Sequence, residues 1–397
     1  MASAPHTATD QSVRYAILFS LIVTTCLGSF GQITMATLAG IVGARLSAVP
    51  QLATLPVVTG IIGVSIAAWP LAMARKRFGD RTVFTLGLLW AAGGSALAAW
   101  SIIQSSFIGF CCGCFFMGNN MSLVAQYRFT AAALVPSQYV SRAVSGLMTG
   151  TLVAAVIAPW FALRNRFWLD VEFAGSFAML AVLSSVTALM MALLPLPSTQ
   201  SDTNQQHSRI PISGLLRNRQ LQLAIVSGAA GYAVMTLIMT ATPISMHVME
   251  GHSAEATANT IRMHILAMFA PSLISGWLIA KLGVRLMLWV GVVLQAVCVG
   301  IAASGHAEWQ YQAALIALGA GWNLLFIGGT TLIATASDPA EGPRLQGLND
   351  LVVFGAMAFS ALLAGALLQN VGWVWTNLLG AALLVLIPVA LLRSRPH

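Results

Sequence analysis

The sequence predicts an all-α polytopic membrane protein of twelve transmembrane helices, arranged as two six-helix halves. Three observations predict it. Of 397 residues, 58% are hydrophobic and only 8% are charged, against about 25% charged in a soluble domain. Apolar runs recur along the whole chain, each near the roughly 20 residues that a spanning helix requires. A single long polar stretch interrupts them, at the middle. Thirty charges cannot coat a globule of this size, so a water-soluble enzyme is excluded, and no room is left for a nucleotide-binding domain. The excess of 19 Lys and Arg over 11 Asp and Glu gives +8. Spread this thinly, it reads as loop charge that orients helices, not as a nucleic-acid surface. The expected surroundings are a lipid bilayer.

In chain order, residues 1–14 form a polar cytoplasmic tail with one cation, Arg14. The apolar run that follows is too long for the core of a cleavable signal. The N-terminal half, 15–195, contains spans at 15–42, 51–74, 82–103, 106–127, 142–163 and 173–195. Residues 196–220 are rich in Ser, Gln and Pro; they cannot bury enough apolar area to fold alone and are expected to be a cytoplasmic linker. The C-terminal half, 221–392, repeats the count at 221–246, 259–280, 284–304, 310–335, 347–369 and 371–392, and 393–397 is a short tail. Placing the N-terminus inside leaves only Arg45, Arg164, Arg166 and Arg262 of the 19 cations outside. That asymmetry predicts a bacterial inner-membrane protein with both termini cytoplasmic. All five cysteines fall within apolar runs, which argues against a disulfide framework.

The two halves echo each other. Arg77-Phe78-Gly79-Asp80-Arg81 follows span two, and Lys281-Leu282-Gly283-Val284-Arg285 follows span eight, as a parallel repeat of six plus six spans requires. The stretch Gly63 to Arg81 resembles the signature loop between the second and third helices of major facilitator transporters, with Pro70 and Ala74 in place of the usual leading Gly and Asp. The resemblance implies the major facilitator fold, a central cavity lined by spans one, four, seven and ten, and a gating loop of Arg77, Gly79, Asp80 and Arg81. Gly146, Gly150 and Pro159 in span five are expected to serve close helix packing.

Carriers need polar or coordinating groups within the membrane, where unpaired polar atoms are costly. Carboxylates are nearly absent there; Asp350 lies near the inner end of span eleven. Soft ligands are present instead. Six of 17 methionines (Met235, Met239, Met246, Met249, Met263 and Met268) fall within a 34-residue window covering spans seven and eight and the loop between them, with three of seven histidines, His247, His252 and His264. Met235 with Met239, and His264 with Met268, are four apart, so each pair shares a helix face. At about 1.5 Å per residue, Met239 lies roughly 10 Å below the outer membrane edge, and His264 and Met268 roughly 7 and 13 Å below it. Thioethers with an imidazole suit Cu(I); core packing explains a methionine pair equally well.

These two motifs are similar to those of the CcoA-type copper importers, a major facilitator branch that supplies copper for haem–copper oxidase assembly. The resemblance implies copper import by alternating access through Met235, Met239, His264 and Met268, with a cytoplasmic copper chaperone as a further partner. Weaker ligand candidates are Cys111 and Cys114, one face of span four, and Met246 and His247 at the outer loop. No phosphate-binding loop or catalytic constellation occurs. An enzyme and a bound cofactor are therefore not expected; copper would be cargo. The alternative is a carrier of the same fold for a small organic solute, such as a vitamin, metabolite or drug.

Overall fold

A computed structural model of the chain describes residues 8–135, 140–196, 218–336 and 342–394. Most of the expected linker lies outside them. Among the described residues every regular element is helical. The helices are α1 (Ala8–Leu46), α2 (Leu55–Phe78), α3 (Asp80–Ile103), α4 (Phe107–Ala133), α5 (Val140–Arg164), α6 (Ala174–Leu193), α7 (Arg219–Pro243), α8 (Ala254–Phe269), α9 (Ser272–Leu282), α10 (Val284–Ala303), α11 (Glu308–Ala336), α12 (Gly342–Leu384) and α13 (Leu386–Arg393). Several starts are fixed by side chains that satisfy first-turn amides. Ser106 accepts from the Gly109 N–H, Asn218 from Gln220 and Ser253 from Ala256.

Ten described segments are long and apolar enough to cross a membrane, and two local features relate them to the expected twelve. Span eight is two shorter helices, α8 and α9, because Pro271 has no N–H to continue the ladder. The chain restarts there, with the Ser275 N–H on the Pro271 carbonyl at 2.8 Å. Spans eleven and twelve read as one element, Leu348–Arg393. Their turn has shrunk to a single residue, Gly372, at φ 78° and ψ 179°, a conformation open to glycine.

Inside the helices, hydroxyls return to their own carbonyls, as at Thr25 to Leu21 and Ser29 to Thr25, both 2.7 Å. That closure suits a medium without water. Large apolar side chains face outward, among them Trp90, Trp160, Trp277 and Trp375, each more than half exposed. A lipid-facing surface has this composition.

The chain forms two compact units, Met1–Met35 with Gly63–Ser201, and Ala36–Ile62 with Asp202–His397. The first is cored by Leu21, Phe84, Leu88, Leu123, Tyr127 and Leu147. There a Cβ on Gly150 would lie 2.6 Å from the Ile22 carbonyl and 3.2 Å from the Cys26 nitrogen, so small residues bring α5 against α1. In the second unit, Val58 and Ile61 pack with Val353, Met357 and Ala361. The hairpin 36–62, taken from the sequence as part of the first half, thus clusters with the second unit.

Candidate transport site

In the second unit, α7 is buried on nearly every side. Its part-exposed positions, Val226, Ala229, Tyr232 and Met239 with exposed Gln222, fall three to seven residues apart and so form one stripe along the helix. On α11, Phe326 and Thr330 are part-exposed and Trp322, one turn before Phe326, is buried. Trp322 and Phe326 stack with ring centroids 5.1 Å apart and planes 4° from parallel. Tyr232 presents its edge to both, at 4.9 and 5.8 Å, and Phe269 approaches Trp322 at 6.2 Å. Buried polar atoms without hydrogen-bond partners collect on the same three helices: Thr236 Oγ1 on α7, His264 Nε2 on α8, and Trp322 Nε1 and Asn323 Oδ1 on α11. Each such atom costs roughly 1–3 kcal/mol unless something binds it. Two of the four, Trp322 Nε1 and Asn323 Oδ1, belong to the helix that carries the stacked rings. Sequence reading missed this cluster; the four-residue spacing of Trp322 and Phe326 was its one available signal.

The expected copper ligands sit as follows. Met235 is buried and Met239 half-buried on α7. His264 and Met268 are buried on α8. Helices α7 and α8 scarcely touch; both pack on α11. The α8 pair belongs to a tight crossing with α11, where a Cβ on Gly319 would lie 2.6 Å from the His264 carbonyl and 3.0 Å from the Met268 nitrogen. His264 Nδ1–H donates to the Leu315 carbonyl at 2.7 Å, which leaves Nε2 as an acceptor. Asn323 Nδ2 donates to the Met268 carbonyl at 2.7 Å and to Ser272 Oγ at 2.6 Å. Among the described residues no three His, Cys, Asp or Glu side chains are grouped to hold a metal. In the first unit Cys111 and Cys114 are buried on α4. Gly113 between them meets Ala98 of α3, 2.7 Å from a built Cβ to the Ala98 nitrogen, so the thiols flank a helix seam.

The segment between α7 and α8, expected to be an outer loop, is knit together rather than open. Met246 is fully buried in the π-turn Ile244–Met249. His247 Nδ1 donates to the His252 carbonyl, and His252 Nε2 to the His306 carbonyl, both at 2.8 Å.

At the corner between α2 and α3, where gating is expected from the sequence, Asp80 is 2% exposed. Its partner is Arg75, not the neighbouring Arg81. Arg75 Nε and Nη2 donate to the two carboxylate oxygens at 2.8 and 2.9 Å, and Nη1 reaches Gln126 at 2.7 Å. Thr130 completes the cluster by donating to the same carboxylate. Arg77 and Arg81 are exposed. The repeat is preserved in backbone: Gly79 and Gly283 share one conformation, φ 77° and 84° with ψ 161° and 148°. Its chemistry differs, because Val284 stands where Asp80 does. Arg285 instead donates to the carbonyls of Leu391 and Ser394 at the end of α13, at 2.5 and 3.0 Å.

This architecture has clear counterparts. Residues 256–397 match the family described as the Major Facilitator Superfamily. The riboflavin transporter RfnT of Brucella anthropi is 37% identical over 391 residues, 98% of each chain. The chain belongs to the Major Facilitator Superfamily. An uncharacterized MFS-type transporter of Bacillus subtilis, YdeG, is 26% identical over 96% of this chain and 92% of its own. Among solved folds, the nucleoside transporter NupG aligns with a TM-score of 0.74 over 95% of this chain and 98% of its own, at 14% identity. A bacterial homologue of the human lysosomal transporter Spinster aligns at 0.70, 99% of this chain, 98% of its own and 15% identity.

As a major facilitator protein the chain is an integral membrane transporter of a small solute, and its relatives are transporters rather than enzymes. The comparisons lend no support to copper as cargo, to cytochrome oxidase assembly, or to a copper chaperone as partner. They favour the organic-solute alternative.

Proposed function

We propose that this transporter carries a flat heteroaromatic vitamin of the riboflavin class, by alternating access, across the bacterial inner membrane with both termini in the cytoplasm. The observation that carries the proposal is 37% identity to a riboflavin transporter over 98% of both chains. The stacked pair Trp322–Phe326 with Tyr232 at its edge supports it, since offset or edge-on aromatic contacts are worth about 0.5–1.5 kcal/mol each beyond burial. The test is uptake of labelled riboflavin by a riboflavin auxotroph with and without the gene. Growth on low external riboflavin only when the gene is expressed is the expected outcome; equal uptake in both strains overturns it.

One observation favours a second reading, copper import through Met235, Met239, His264 and Met268: the Nε2 of buried His264 has no partner. Radioactive copper uptake in the same two strains separates the readings. Gene-dependent copper accumulation lost in Met239→Leu, which keeps volume but removes sulfur, would establish it.

A further inference from the structure

The first unit carries a groove of its own. A cavity of about 400 Å³ opens between α2, α3 and α4. Ile66, Phe78, Leu86 and Trp90 line it and are each more than half exposed. Its floor exists because α2 and α4 touch at Gly63, where any side chain would strike the Phe115 carbonyl.

The lining is hydrocarbon apart from Thr82, Asn119 and the indole N–H of Trp90. The Asn119 amide is already engaged, donating to the Gly87 carbonyl at 3.1 Å. A water-soluble ligand would find almost nothing to bind. Along α2 the lining runs from Gly63 to Phe78, roughly 20 Å at 1.5 Å per residue. One leaflet of a bilayer core is about 15 Å deep. The groove therefore has the length of a single acyl chain.

One end is charged. The guanidinium of Arg77 lies 5.3 Å from the centre of the Phe78 ring, itself a wall of the groove. Arg81 precedes the lining residue Thr82 and is exposed. Asp80, the one carboxylate of this stretch, is taken up by Arg75, so Arg77 and Arg81 leave the surface at this end positive. Hydrocarbon along the length with two arginines at the mouth matches a lipid with a negative headgroup. We infer that the groove between α2, α3 and α4 seats an acyl chain of an anionic glycerophospholipid, whose phosphate lies against Arg77 and Arg81.

The experiment is native mass spectrometry of the full chain released from vesicles of phosphatidylcholine and phosphatidylglycerol mixed in equal amounts. The wild type is expected to retain phosphatidylglycerol in preference to phosphatidylcholine. Each arginine near a membrane surface contributes about fivefold in affinity, so Arg77→Gln with Arg81→Gln should lower that preference about 25-fold while neutral lipid is still retained. Ala67→Phe, which fills the groove with a ring, should release both lipids and leave the arginines in place. A thermal melt beside each measurement identifies a variant that fails to fold; Ala74→Phe then replaces Ala67→Phe. Inorganic phosphate in excess should not displace the lipid, because the chain supplies most of the hold. A phosphatidylglycerol preference undiminished in the double variant, lipid retained by both filled-groove variants, or displacement by phosphate alone would each overturn the assignment.

Discussion

Trp322 combines two properties that substitution can separate. Its ring stacks on Phe326, and its buried indole N–H has no partner. Trp322→Phe keeps an aromatic face and removes the donor; Trp322→Ala removes both. If the indole reads a polar edge of riboflavin, the Phe variant should raise the KM for uptake about tenfold, from a lost hydrogen bond of about 1 kcal/mol or somewhat more. The Ala variant should abolish uptake. Equal KM in wild type and Trp322→Phe would assign the indole to packing alone. The sequence displayed His264 and Met268 as a pair because spacing exposes what shares a face. It could not display that their partner is α11, since Leu315 and Gly319 contribute a carbonyl and an absent side chain, and neither carries a signature.

At the level of elements, the α2–α3 corner shows how local geometry selects partners. Asp80 and Arg81 are adjacent, and adjacent helical residues point apart. Arg75, one turn before the corner, reaches over it with a two-pronged grip that matches a carboxylate. Removing one member of a buried pair typically costs about 3–5 kcal/mol. Asp80→Asn should therefore lower the melting temperature and uptake together, whereas Arg81→Ala, on an exposed position, should change stability by no more than about 0.5 kcal/mol. Thermal unfolding of both purified variants checks this; a melt of Asp80→Asn matching wild type would refute it. Arg75→Lys should fall between the two, because an ammonium lacks the planar fork. The broken eighth span was less legible. Pro70 and Pro159 sit inside helices that continue through them, so a proline in an apolar run did not by itself announce that the ladder would restart at Pro271.

At the scale of the molecule, the helical class and most span positions were readable because the bilayer sets both composition and length. The grouping of the hairpin 36–62 was not. It depends on small residues at seams, such as Gly365, where a Cβ would lie 2.8 Å from the Gln51 carbonyl, and glycine alone does not name its neighbour. The repeat shows a related limit. Its two loops share a backbone path, yet one anchors on a carboxylate and the other on the last helix. Deleting residues from Leu391 onward should therefore slow uptake and lower the melting temperature, while Ser394→Ala should do little to either. The check is uptake by cells expressing each form at matched levels.

Arg285 grips the main-chain oxygens of Leu391 and Ser394, acceptors that every residue type at 391 and 394 presents, and adds to them a bond to the Ser394 hydroxyl at 3.0 Å. The tail can drift in identity over generations while its length is held, and a ruler, rather than a password, is what the second loop inspects.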